Sequence, residues 1–440
     1  MNARARKTDI GERTLGSALV PALLVVAVSI CCLFDPSRLA AQPGASVNLV
    51  GYLEIPTSTY NTDVWGWVDP ATLTEYALVG NNATGLHIID CSNPLNPTIT
   101  SSIDTVPSFD IKTWQHYVYT VDGNYDFAGR NGRIIDISDP AHPVVVGTIP
   151  PGHNLFVDDE GFLYVTFPGL KIFNLNPDPT RPKPIWEKVS TQGHDVTVVG
   201  DTLYDFHGYD GTFIYDISTR RHPMLIGEIL DPTITFHHSG WTSSDERYLF
   251  INDEMAVHPS PDITVFDISR TFMPVKVASI SDADATAHNC YRTGDFLHVA
   301  YYTAGYRVYD ISDPTHPVLA GEYDTTPLSG EGIFKGAWGC YPFSPSGSVY
   351  INDRPDGFFI FSFQEATAVE NSASSPIIEL GRNYPNPFNP ETTIPYNVAF
   401  ESEVEIEVYD IGGRRIRTLV SRDRRRHADA EDGVDQMIMF

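Results

Sequence analysis

Apolar runs broken by polar turns recur at regular intervals along this chain. From Gly85 the run GLHIID is followed by the turn CSNPLNP and a second run, TITSSI. The figure returns as GRIIDISDPAHPVVVGTI from Gly132, GLKIFNLNPDPTRPKPIW from Gly169, GTFIYDISTRRHPMLIGEI from Gly211, DITVFDISRTFMPVKVASI from Asp262 and GYRVYDISDPTHPVLAGEY from Gly305. A seventh copy begins at Gly357 as GFFIFSF and lacks the second run. A period of about 45 residues is that of a four-stranded propeller blade. The run before each Asp is apolar without strict alternation, which predicts a strand covered on both faces by neighbouring blades. The Asp positions are 90, 136, 216, 267 and 310, with Asn174 and Ser362 in the other two copies. Each Asp is predicted to cap its turn by accepting backbone N–H groups, and the prolines end ladder pairing there.

The strand missing from the seventh copy stands at the other end of the chain. SVNLVGYLEIP resembles the second half of a repeat such as PVLAGEY, so a strand from Val47 to Leu53 is predicted to complete the last blade and close the ring. The predicted fold class is all-β: a seven-bladed β-propeller over residues 45–365, closed by an N-terminal strand, with a small, incomplete Ig-like β-sandwich after it.

The spaced DISDPxxP copies resemble LVIVD-repeat proteins. Intervening stretches such as YNTDVWGWVD from Tyr60, HHSGWTSSDERYLFINDE from His237 and GAWGCYPFSPSGSVYINDR from Gly336 are similar to the choice-of-anchor B group among them. The resemblance implies the propeller fold and no established reaction. Residues 366–376 are small and polar, as a linker is. The stretch LGRNYPNPFNPETTIPYNVAFESEVEIEVYDIGGRRIRTLV resembles the C-terminal sorting domains of type IX secretion and the related Ig-like fold of flagellar hook-cap proteins. That implies an export machinery as partner of residues 377–420. The resemblance stops at Ser421, and residues 421–440 form an atypical charged tail.

Composition narrows the setting. Gly and Pro number 33 each and charged residues are only 19%, which suits short strands and tight turns. The net charge of −27, spread along the chain, argues against a nucleic-acid partner, because binding phosphates needs clustered Lys and Arg. Arg4, Arg6, Lys7 and Arg13, an apolar run from Leu15 to Phe34, and Leu39-Ala40-Ala41 are laid out as a secretory signal. Removal of residues 1–41 would leave no membrane span and a secreted or outer-membrane-surface protein; the alternative is an uncleaved membrane anchor, since the apolar run is nearly long enough to span. Cys91, Cys290 and Cys340 then remain, too few for a disulfide framework.

One polar position recurs in each blade upstream of the next Asp-Ile-Ser. In blade order it holds Asp63, Asp110, His153-Asn154, His194-Asp195, His237-His238 and His288-Asn289, with Trp338 in the seventh. The strand after a blade-to-blade connection is the innermost, so these side chains are expected to converge on one mouth of the central channel. Converging His and Asp suit a divalent cation or acid/base chemistry, and equally a solvated lining. Trp65, Trp241 and Trp338 are the candidate aromatic ligand contacts. HExxH, GxSxG, P-loop and CxxC motifs are absent. Two functional classes follow. The one asking less of the sequence is a non-enzymatic scaffold, holding a protein or glycan at one propeller face, with no catalytic residue assigned. The other is a metal-assisted hydrolase or lyase using the His cluster at the channel.

Overall fold

The computed structural model describes residues 46–364 apart from 56–59, 105, 124–129, 283 and 327–333. It also describes backbone strands at Val25–Cys31, Ile378–Leu380, Thr393–Val398, Ser402–Tyr409, Arg415–Arg425 and Gln436–Met439. Residues Gln42–Thr367 form one compact unit, and the two ends of the chain form another. The first contains seven four-stranded antiparallel sheets, and no helix occurs among the described residues. In blades one to six the four strands follow each other in sequence, from innermost to outermost.

The seventh blade is made as the sequence predicts. Its strands Ala337–Tyr341, Ser348–Asp353 and Gly357–Gln364 are completed by Ser46–Leu53, which pairs antiparallel with Gly357–Gln364 from Ser46 against Gln364 to Leu53 against Phe358. All seven sheets therefore join into a ring.

The repeat motif acts as the sequence reading expects. Asp90, Asp136, Asn174, Asp216, Asp267 and Asp310 each accept, through Oδ1, the backbone N–H two residues on, at 2.8–2.9 Å. The apolar third strands are covered on both faces: Ile88, Ile134, Ile172, Ile214, Val265, Val308 and Ile360 are fully buried. These side chains fill separate clusters between adjacent blades, so each sheet stands on its two neighbours. Cys91, Cys290 and Cys340 are free buried thiols.

The end strands form two three-stranded sheets. One joins Val25–Cys31, Ser402–Tyr409 and Arg415–Arg425, and the other joins Ile378–Leu380, Thr393–Val398 and Gln436–Met439. The linker, most of the predicted signal and much of the charged tail lie outside the described residues. No helix among the described residues is long and apolar enough to cross a membrane.

Candidate functional site

The innermost strands surround a central channel whose lining is layered. Alternate residues of such a strand point into the channel, about 6.6 Å apart along it. At one mouth lies a ring of aromatic side chains, one from each of six blades. Phe109, His153, His194, His238, His288 and Trp338 follow one another with centroids 5.0, 4.5, 4.2, 4.5 and 3.9 Å apart, and Trp338 meets Phe109 at 5.6 Å. Further in come Asp63, Asp110, Asn154, Asp195, Ser239 and Asn289. At the far end Trp65, Phe156, Trp241, Tyr291 and Tyr341 form an aromatic plug, with Trp65 packed on Tyr341 at 5.0 Å and Trp241 on Tyr291 at 5.3 Å.

Hydrogen bonding fixes the tautomer of all four histidines. The Nδ1 atoms of His153, His194 and His288 lie 2.7, 3.0 and 2.7 Å from the carbonyl oxygens of Gly123, His238 and Trp338. A carbonyl only accepts, so each Nδ1 carries the proton. The Ser239 hydroxyl donates to the His288 carbonyl at 2.8 Å and so accepts from His238 Nδ1 at 3.1 Å. Every ring then carries its lone pair on Nε2. Burial pushes His153 down to about 4 and His238 to about 3, and holds His194 and His288 well below the ordinary imidazole value. The four rings are neutral at pH 7.

Glu254 joins this ring from the end of the second strand of blade five. Its carboxylate lies 3.4 Å from His238 Nε2 and 3.8 Å from His288 Nε2 and accepts the Tyr302 hydroxyl. Burial pushes it up to about 7, against the pull of Tyr302 and Arg354. Donor atoms of His194, His238 and Glu254 all lie within 4.8 Å of one another. Two imidazoles and a carboxylate, with two of the rings anchored through Nδ1 to backbone carbonyl or hydroxyl oxygens, are a fitting donor set for a divalent transition metal. These groups open onto a cavity of about 760 Å³ that also exposes Phe109, Phe236, Trp338 and Arg354.

The structure sorts the residues expected from sequence. Asp63, Asp110, His153, His194, His238, His288 and Trp338 all line this cavity. His237 does not: its ring turns to Thr212 Oγ1 at 2.8 Å, because consecutive strand residues face opposite sides. Asp195 faces a small void deeper in the channel, with Asp110, Lys112 and Asn289. Its carboxyl is pushed up to about 7 by burial and by Asp110. Trp65 and Trp241 belong to the opposite end, where with Arg292 and Phe343 they face a separate cavity of about 630 Å³.

Lys112, Glu254 and Arg354 were missed by sequence reasoning, and Tyr302 was legible only as one of several loop aromatics. Lys112 is buried between Asp63, at 3.2 Å, and Asp110. Burial opposes its charge, but the two carboxylates more than offset that and its pKa ends raised. Glu254, Tyr302 and Arg354 occupy one structural position in blades five, six and seven, three residues past the aligned Ile251, Val299 and Ile351 of the second strand. Ile251-Asn252-Asp253-Glu254 and Ile351-Asn352-Asp353-Arg354 carry the signal, a repeated Ile-Asn-Asp followed by opposite charges.

Residues 72–105, 110–149 and 287–325 match the model of the LVIVD repeat. Fold and sequence thus define the class, a seven-bladed β-propeller carrying LVIVD repeats. The match is to the repeat itself and does not extend to the choice-of-anchor B group or to the C-terminal sorting domain. No curated protein matches the chain. Among solved structures the fold is similar to the periplasmic gluconolactonase of Pseudomonas aeruginosa, with a TM-score of 0.50 and 13% identity. The similarity covers 84% of this chain and 99% of that one. At that identity the likeness is one of fold. It nonetheless corrects the expectation of a non-enzymatic scaffold, since a solved propeller of similar fold is an enzyme.

Proposed function

We propose that this propeller is a metal-assisted hydrolase acting at the His-ringed mouth of its channel. The observation that carries the reading is the convergence of donor atoms of His194, His238 and Glu254 to within 4.8 Å of one another, with His153 and His288 beside them in one cavity. His194, His238 and Glu254 would hold a divalent cation, which supplies Lewis-acid polarisation of a carbonyl or of water when bound. His153 and His288 flank that set. Nε2 of His288 can accept a hydrogen bond from an attacking water and so orient it. The Tyr302 hydroxyl holds the Glu254 carboxylate in place. Phe109, Phe236 and Trp338 offer apolar walls that exclude bulk water.

The substrate class that suits this arrangement is an ester, including the cyclic ester of a lactone, whose C–O bond is broken by water to leave a carboxylate and a hydroxyl. The gluconolactonase activity of the similar propeller supports a lactone as the first choice, and its periplasmic setting is consistent with an envelope or extracellular location here.

The test is metal analysis of the purified full chain, followed by turnover of a panel of lactones and esters after loading with zinc, manganese or calcium. The expected result is one cation per chain and hydrolysis that falls at least about 100-fold in His238→Ala and Glu254→Gln, with loss of the cation. Absence of turnover with every metal, or turnover unchanged by both substitutions, overturns the reading.

A further inference from the structure

Arg354 is the one cationic side chain facing the His-ringed cavity among the described residues. It is only 7% exposed. Its guanidinium lies 4.0 Å from the ring centroids of both Tyr60 and Trp338, a clamp that suits a planar cation. Its Nε has no hydrogen-bond partner. The groups that act on it are the Tyr302 and Tyr60 phenols, Tyr60 also by a side-chain hydrogen bond, and the Glu254 carboxyl. Glu254 is engaged with His238, His288 and Tyr302 rather than paired with it. Burial lowers the pKa of Arg354, as expected of a cation whose water has been removed without a counter-ion supplied. A buried charge without a counter-ion is costly, and a bound anion would offset that cost.

We infer that Arg354 is the anion anchor of the cavity and that the substrate carries a carboxylate, bound by the guanidinium while the scissile ester lies against the His–Glu set. The word substrate rests on the hydrolase reading; the anion site itself does not. A singly charged carboxylate suits the site better than phosphate. Asp63, Asp110 and Glu254 also line the cavity and would repel a second negative charge.

Calorimetric titration of the full chain with butyrate, acetate, acetamide and inorganic phosphate, without turnover, tests the site. Carboxylates are expected to bind and acetamide not to. Arg354→Met should weaken carboxylate binding at least about tenfold, and Arg354→Lys should weaken it less. The acetate–acetamide comparison uses unaltered protein, so a misfolded variant does not spoil the test. Equal binding of acetate and acetamide, preference for phosphate, or carboxylate binding unchanged in a folded Arg354→Met protein each overturns the inference. Carboxylate binding without hydrolysis of any ester would remove the hydrolase reading and leave the anchor. Hydrolysis of neutral esters with no carboxylate binding would do the reverse.

Discussion

A histidine buried in a propeller blade must choose which proton to keep, and its neighbours make the choice. His298, 2% exposed on the second strand of blade six, lies between the Tyr306 hydroxyl at 2.6 Å from Nδ1 and the Thr293 hydroxyl at 2.7 Å from Nε2. Burial pushes it down to about 3. The unfolded chain therefore takes up a proton below about pH 6.5 while the folded one stays neutral until about 3. Stability contributed by the neutral ring is complete above pH 6.5 and declines by about 1.4 kcal/mol per unit as pH falls through that window. Its loss reaches about 2 kcal/mol at pH 5. His298→Gln keeps two polar contacts and removes the titration. Urea midpoints at pH 7 and pH 5 should show a smaller acid-induced fall in the variant than in the parent. An equal fall would mean that His298 does not titrate in this way.

At the scale of elements, much was legible because the same solution is used repeatedly. A side chain that caps a turn in one blade caps it in six, and the Asp-x-Ser signal needs no tertiary context. The repeat's glycine was legible as a position but not as a contact. A Cβ on Gly227 would lie 1.9 Å from the Thr271 carbonyl oxygen, and one on Gly51 1.9 Å from that of Pro94. Both are outer-strand glycines against which the turn of the next blade is pressed. Gly227→Ala should lower stability by about 1–3 kcal/mol, since backbone rather than a side-chain tip must move. Thermal melting of the variant checks this, and an unchanged midpoint would show that the turn yields freely. The channel set was half legible for a related reason. Residues on the inner strands share one place in the repeat, so His153, His194, His238 and His288 could be aligned by eye. Glu254, Tyr302 and Arg354 share a place too, but Glu, Tyr and Arg have no common chemistry to betray it. The separation of His237 from His238 depended on strand facing at a register shift, which spacing does not encode.

The whole molecule depends on one joint. The Ser46–Leu53 strand supplies all the backbone pairing on the outer side of Gly357–Gln364, and Gly51 on it seats the turn of blade one at Pro94. Deleting residues 46–53 should leave an unpaired apolar edge, Phe359 and Phe361 included, and make the chain aggregate. Size-exclusion chromatography of the deletion against the parent reads this directly, and a peptide of residues 46–54 added in excess should restore the parent's elution. A deletion that elutes as the parent does, with an unchanged melting temperature, would show that the ring does not need its clasp.

That joint also sets a clock. The two strands it unites are separated by about 300 residues of sequence, and a ribosome adding roughly 5–20 residues per second needs about 15–60 s to deliver the second after the first. Throughout that interval the first strand has no partner, and the blades made meanwhile can form only an open arc. The ring is thus closed after synthesis of all its parts, and the first-made strand of the propeller is among the last to find its place.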